Sequence, residues 1–372
     1  MSNVIRLGDY ITEISEKTTV NNQHMVLTSS QEGIVSQDDY FNKQIASKDN
    51  TGYKIIRRGQ FTYRAMSDTG RFYINRLTDY DIGIVSPAYP VFELRTNGQI
   101  LPEYLQEYFH SEHFQNAITL SSTGSTRVSL KLAKIADLRI DIPTLPKQQC
   151  AVQAISHVNH LISMQNSSAA KLDQLVKSQF VEMFGEMHSR VYETKKLREF
   201  CKFQQGTQVP SEEQIETQLE GYTRFLRIID YTQAPQPPRY VSVKGKKIEE
   251  DSVVVVRYGA TAGFVGHGYA GILANNLFEV IPDEATMSKE FLYLTLKHGT
   301  FEQEVHDKAF GAAMPALSFG MMNDIIVAVP SKQAQNEFIG FVKQIDKSKL
   351  AVKQSLEKLE TLKKSLMQQY FG

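Results

Sequence analysis

Little in this sequence is in surplus. Lys and Arg number 41 and Asp and Glu 41, so the 372-residue chain carries no formal net charge. A nucleic-acid binder usually holds a basic excess to offset phosphates, and the balance counts against that class for the chain as a whole. It leaves room for a small basic groove beside acidic faces, because a sum hides local fields. Only two cysteines occur, Cys150 and Cys201, far apart and in no CxxC pair. That excludes a disulfide framework, a zinc ribbon and a redox pair. Long apolar runs are missing too: the longest, such as Val253 to Val256 and Ile325 to Val329, fall far short of a membrane span. Met1 to Arg6 lack the apolar stretch of a secretory signal, so the expectation is a reducing cytoplasm.

What is present is an ordinary folded composition, 41% apolar and 22% charged, in a chain too long for one typical domain. Two core units are expected, and an internal repeat says where they lie. Tyr104-Leu105 matches Phe291-Leu292 at a shift of 187 positions. The same shift, without a gap, pairs Phe114 with Phe301, Gly124 with Gly311, Leu130 with Leu317, Asp137 with Asp324, Pro143 with Pro330 and Gln148 with Gln335. It continues to Leu172 and Leu359, Lys177-Ser178 and Lys364-Ser365, and Phe184-Gly185 and Phe371-Gly372. Near the start, Leu7-Gly8-Asp9-Tyr10 resembles Leu197-Arg198-Glu199-Phe200 at a shift of 190. One module of about 185 residues is used twice.

Each module opens with short β-type segments between Gly, Asp and Asn punctuation. In the first these are Tyr53 to Ile56, Phe61 to Arg64 and Val91 to Leu94; in the second, Phe225 to Ile229, Val253 to Arg257 and Leu277 to Ile281. A short helix is expected at Pro102 to Phe114 and at Ser288 to Phe301, with Pro102 suited to a first turn. A strand ending in Pro143 or Pro330 leads into a long helix with no internal proline. Along that helix Ile155, Val158, Ile162, Gln165, Ala169, Leu172 and Val176 step by three and four, the seam of a coiled coil. The second copy gives Val342, Ile345, Lys349, Val352, Leu356, Leu359 and Lys363, with Gln165, Lys349 and Lys363 as polar intruders. About 35 residues make a rod on the order of 50 Å. A narrow apolar stripe must be buried, either against the twin helix or against the helix's own domain.

Searches for chemistry end without a site. There is no GxxxxGK[ST] loop, and Gly259 to Gly266 lacks GxGxxG order and reads as a tight turn. Gln236-Pro237-Pro238-Arg239 lacks the asparagine and the aromatic of a base-flipping methyltransferase run. Pro282-Asp283 has no following acid and lysine of a nuclease. The pairs His110/His113 and His157/His160 are spaced for a shared metal, but their repeat counterparts are Lys297/Thr300 and Gln344/Lys347. The module therefore does not need them, and a solvated helix face is the expectation. Cys201 has no general base nearby in sequence and reads as a small buried residue.

The strand–Pro–x–x–x–x–Gln junctions (Ile142-Pro143 to Gln148, Val329-Pro330 to Gln335) and the helix endings Leu172-x-x-Leu175-x-Lys177-Ser178 and Leu359-x-x-Leu362-x-Lys364-Ser365 occur in the same order twice. With Val253 to Gly263 and Ser86 to Phe92, they resemble the specificity subunits of type I restriction–modification systems across essentially the whole chain. Module one has no sequence match to the turn Arg257-Tyr258-Gly259-Ala260-Thr261. The resemblance implies an α+β fold: two α/β target recognition domains separated by two long helices that pair as an antiparallel coiled coil, about a pseudo-two-fold axis. The expected boundaries are 1–145 and 187–332 for the recognition domains, and 146–186 and 333–372 for the helices. It also implies a chain without catalysis of its own that reads a split, asymmetric double-stranded DNA target, one half per domain. Half-sites about one turn apart, roughly 34 Å, suit such a rod. Two methyltransferase subunits would bring S-adenosylmethionine chemistry, and restriction subunits using ATP and Mg could join.

Phosphates call for Lys and Arg, and base edges for Arg, Asn, Gln, Ser, Thr or Tyr on loops. On that basis the DNA-contact candidates are Arg57, Arg58, Arg64, Arg71 and the loop Ser125-Thr126-Arg127 in module one. In module two they are Arg224, Arg239, Lys244, Lys246, Lys247, Arg257 and Tyr258. The competing reading of each arginine is a solvated or ion-paired surface residue. Two alternatives for the whole chain remain open: the specificity subunit of a related fused methylase–nuclease system, and a duplicated coiled-coil scaffold that binds only protein.

Overall fold

The computed structural model describes residues 4–40, 49–95, 98–119, 128–185, 192–232, 236–299, 301, 305 and 316–372. Strands and helices are mixed throughout, and the chain divides into two units, Met1–Gln165 with Ser355–Gly372, and Asn166–Gln354.

In unit 1 an antiparallel sheet runs in the order Ile11–Ile14, Val91–Leu94, Phe61–Thr62, Asn75–Arg76. Phe61 and Phe92 stack at 5.3 Å, and both meet the edge of Phe109 at 6.0 and 6.1 Å. Phe109 belongs to the helix Pro102–His110, so these three rings fasten helix to sheet. The single helix expected as far as Phe114 is two, Pro102–His110 and Glu112–Thr119. Ser111 makes the break: its hydroxyl donates to the Tyr108 carbonyl at 2.6 Å and accepts from the Phe114 N–H at 3.2 Å. One side chain thus ends the first helix and caps the second.

Unit 2 holds two four-stranded sheets. The first runs Cys201–Gln205, Leu277–Pro282, Val253–Val256, Val265–Gly266, all antiparallel. Every residue of Val253–Val256 is buried, which explains an unbroken apolar run in place of alternation. The second runs Arg239–Val241, Thr223–Leu226, Gly271–Leu273, Lys247–Ile248, with its middle pair parallel. The strand expected to reach Ile229 stops at Leu226, because Asp230 accepts from the Arg227 N–H at 2.8 Å and starts the helix Ile228–Thr232. The short helix is Lys289–His298, with the Ser288 hydroxyl capping the Phe291 N–H at 3.3 Å.

The shift of 187 carries contacts as well as residues. Gln148 is fully buried: its carbonyl accepts from the Leu101 N–H at 2.8 Å, and its amide donates to the carbonyls of Gln99 and Pro143, each at 2.8 Å. Gln335, equally buried, accepts from the Ser288 N–H at 3.1 Å and donates to Thr286 and Pro330, each at 3.0 Å. All three partners are displaced by the same 187 positions. Each clamp ties the start of a long helix to the loop before the short helix and to the proline closing the preceding strand. Beside the clamps, Val4–Arg6 pairs with Arg139–Asp141 and Thr194–Lys196 with Ile326–Ala328. Arg6 meets Asp137 at 2.6 Å, and Lys196 meets Asp324 at 2.9 Å.

The long helices are Leu145–Phe184 and Lys332–Phe371, the first beginning two residues before Lys147 with Pro146 in its opening turn. Ile155, Val158, Val342 and Ile345 are buried; Ile162, Leu172, Val352, Leu356 and Leu359 are half-buried. In unit 2 the intruding Lys349 meets Asp173 at 2.5 Å, and Phe338 packs on Phe180 at 5.5 Å. The last aromatic of each long helix is a core residue. Phe371 lies 5.0 Å from Tyr104 in unit 1, and Phe184 lies 5.0 Å from Phe291 in unit 2.

Replacing Gln148 by Leu keeps volume but strands one N–H and two carbonyls in the interior. The expected loss is roughly 2–4 kcal/mol. Urea denaturation of the whole chain measures it, and Gln335→Leu should give a similar loss. Unchanged midpoints for both would remove the clamp from the account.

Candidate nucleic-acid interface

The strand Val253–Val256 delivers Arg257 and Tyr258 to one end of the first sheet of unit 2. Gly259 and Gly263, at φ +89° and +90°, turn the chain back to Val265. The Arg257 N–H donates to the Asn276 carbonyl at 2.9 Å, and the Arg257 carbonyl accepts from the Leu317 N–H at 2.8 Å. The guanidinium lies 4.9 Å from the Tyr258 ring centre and 5.2 Å from that of Phe319. Nearby, Lys246 donates to the Gln204 carboxamide at 2.7 Å, and Gln205 donates to the Asn275 carbonyl at 3.4 Å. The chain passes closely enough at Gly206 that a Cβ would stand 2.0 Å from the Ala274 carbonyl oxygen. Of the sequence-based candidates, Arg257 thus meets Tyr258, Asn276 and Phe319, and Lys246 separately meets Gln204; Gln204, Gln205, Asn275 and Asn276 are additions. Asn and Gln are base-edge chemistry. The sequence signal for the asparagines was a polar pair set between two apolar strands, Gly271–Leu273 and Leu277–Pro282.

The other candidates are placed differently. Lys244 and Lys247 are exposed. Arg239 pairs with Glu216 at 2.7 Å. Arg224 lies over the Tyr269 ring at 4.3 Å, and its guanidinium is 4.0 Å from Asp230, an almost wholly buried carboxylate that Arg227 also holds at 2.9 Å. In unit 1, Arg57 clasps Glu16 with one arm at 2.9 Å, Arg58 meets Asp81 at 2.8 Å, Arg64 meets Asp68 at 3.9 Å, and Arg71 meets Glu112 at 2.5 Å. The hydrogen bond to Arg57 holds the Glu16 carboxyl below its ordinary value. Exposed pairs of this kind are worth little, so a phosphate competes with the carboxylate at small cost. Ser125, Thr126 and Arg127 lie outside the described residues.

The turn with no sequence counterpart in module one has a backbone counterpart. The Ala65 carbonyl accepts from the Leu130 N–H at 2.9 Å, as Arg257 does from Leu317. Val128–Ser129 pairs with Met66–Ser67, and Ala316 bridges to Tyr258. Ala65 therefore stands where Arg257 does, at a shift of 192, and the five extra positions hid the match.

One histidine expectation is corrected. His113, His157 and His160 are exposed, but His110 is largely shielded and its ring bonds the Asn75 carboxamide at 3.0 Å. It borders a cleft of about 690 Å³ in unit 1, with Asn75, Glu107, Gln115 and Lys363 also in the lining. Burial pushes His110 down to about 4 and raises Glu107, which Lys363 pulls back. At the repeat-equivalent places unit 2 has Leu294 and Val176, both buried, for Glu107 and Lys363. Burial also takes the Cys201 thiol up to about 12. Among the described residues no group of three or more His, Cys, Asp or Glu could hold a metal, and no helix is long and apolar enough to cross a membrane.

Residues 190–362 match the family model of the type I restriction modification DNA specificity domain. A curated relative, the type I restriction enzyme MjaVIII specificity subunit of Methanocaldococcus jannaschii, is 23% identical over 196 residues, 51% of this chain. The match spans 45% of that relative's length. Among solved structures, a chain from work on complex assembly and conformational transition of the type I R-M system superposes with TM-score 0.64 at 17% identity. It covers 100% of this chain and 97% of the other. The type I restriction–modification system S subunit from M. genitalium gives TM-score 0.57 at 14% identity, covering 100% and 96%. These two likenesses establish the fold, and the resemblance read from the residues is to the same family.

His110 and His298 both titrate near about 4 in the fold against 6.5 when free, burial being the first cause in each. A histidine lowered in the fold gives stability that is complete above the free value and is lost as pH falls from about 6.5 towards 4. The raised Glu107 acts in the opposite sense, so the informative quantity is a difference between proteins. Thermal melts between pH 7.5 and 4.5 should show a shallower acid decline for His110→Gln than for the unsubstituted chain. Parallel curves would contradict the shielded placement of this ring.

Proposed function

We propose that this chain is the DNA-sequence specificity subunit of a type I restriction–modification complex and has no catalytic site of its own. The observation that carries the reading is the specificity-domain match over residues 190–362, taken with a first half that repeats the same clamp, strand pairings and helix order. Each module reads one half of a bipartite, asymmetric duplex target. The shared scaffold and the different sheets fit two readings from one architecture.

The two long helices serve as an antiparallel spacer relating the modules by a pseudo-two-fold axis. Support comes from unit 2, where Asp173 meets Lys349 and Phe180 meets Phe338, partners that descend along one helix as they ascend the other. Two methyltransferase subunits supply S-adenosylmethionine chemistry to the two halves, and restriction subunits with ATP and Mg act on the same complex when present. The present chain binds, orients and spaces. Its paired surface arginines, Arg57, Arg58, Arg71 and Arg239, exchange carboxylate for phosphate on docking.

Genome-wide methylation mapping with and without the gene tests this directly. A split adenine-methylated motif should vanish when the chain is absent and return when it is restored. Persistence of that motif in its absence would refute the assignment.

A further inference from the structure

Most of the candidate arginines already have a partner. Arg57, Arg58, Arg64, Arg71 and Arg239 each face a carboxylate, and Arg224 is built against buried Asp230. Arg257 differs. Among the described residues its guanidinium has no carboxylate or side-chain hydrogen-bond partner, and its Nε, like that of Arg224, is buried without one. The side-chain oxygen of Asn276, the residue whose carbonyl receives the Arg257 N–H, is likewise buried and without a partner. Two orphaned polar atoms on residues joined through their backbones are costly unless a ligand completes them.

The guanidinium is also held. Two rings lie close to it: Tyr258, more than a third exposed, and Phe319. Phe319 is anchored in turn, stacking on Phe203 at 5.9 Å and meeting buried Phe278 edge-on at 5.3 Å. A guanidinium in contact with two rings at the mouth of a turn, and without a carboxylate partner among the described residues, is a preorganised hydrogen-bond donor.

We propose that Arg257 is the base-reading guanidinium of unit 2, donating bidentately to the O6 and N7 edge of a guanine in the major groove. Phosphate contacts in this unit fall to Arg239 and to exposed lysines such as Lys244, Lys246 and Lys247. In unit 1 the equivalent backbone position is Ala65, so the two modules differ at this reading position and one guanine contact belongs to one half-site only. This rests on the reading of the chain as a duplex-DNA specificity subunit.

The test uses the full chain assembled with its methyltransferase partners, titrated against a randomised duplex library at several salt concentrations. Arg257→Lys keeps the charge and the stem but loses the fork. It should relax preference at one base pair of one half-site by roughly tenfold to a hundredfold, with the slope of log K against log salt unchanged. Arg257→Gln should relax the same position, giving a second reading if either variant assembles poorly. Lys246→Gln should weaken every sequence alike and make the salt slope shallower. An unaltered preference in the Arg257 variants, or a loss equal for all sequences, would overturn the role of Arg257. Absence of any sequence preference in the unsubstituted complex would instead overturn the function beneath it.

Discussion

Each module hangs on a carboxamide sealed from water. Gln148 and Gln335 sit at the point where a strand, a loop and a long helix converge, and each joins three backbone groups that no secondary structure could pair. Only a side chain with both a donor and an acceptor at its tip can do this, which excludes Glu, Lys and Leu. Because the clamp fixes where the helix begins, it also fixes the phase of everything along it. Ile155 and Val342, each seven residues beyond its clamp, are buried for that reason. The short helix, held by the same amide, is placed against a four-stranded sheet of its unit.

Much of this was legible before any coordinates. The shift of 187 located both glutamines, the helix seams and the closing prolines, because identical contacts demand near-identical residues at fixed spacing. The polar intruders in the seam were visible as anomalies but not explicable, since Lys349 answers an Asp173 that lies far away in sequence. His110 was misread for the same reason. Its shielding comes from Asn75 on a distant strand, and the repeat hid it by placing a lysine in the other copy. The break at Ser111 was missed because a serine inside a helical pattern reveals its cap only when the next turn's N–H is seen beneath it.

The strand-rich halves were harder still. Their strands are two to six residues long, and insertions between them change the shift from 190 at the start to 192 at Ala65 and Arg257. A polar pair such as Asn275-Asn276 carries no periodic signal, and its place beside Arg257 depends on a glycine that lets two backbones nearly touch. Sequence shows scaffold well because scaffold is periodic and repeated. It shows a reading surface poorly because such a surface is built from loop tips brought together by long-range pairing.

Phe371 has a bearing on the order in which the protein is made. The core of unit 1 includes this ring, although the first 165 residues of that unit leave the ribosome long before it. Unit 2, by contrast, has all its residues once Gln354 has been synthesised. The module translated first is thus the last to close, and until then Tyr104 and Tyr108 keep one face uncovered. During that interval the open apolar face is the surface most exposed to misassociation.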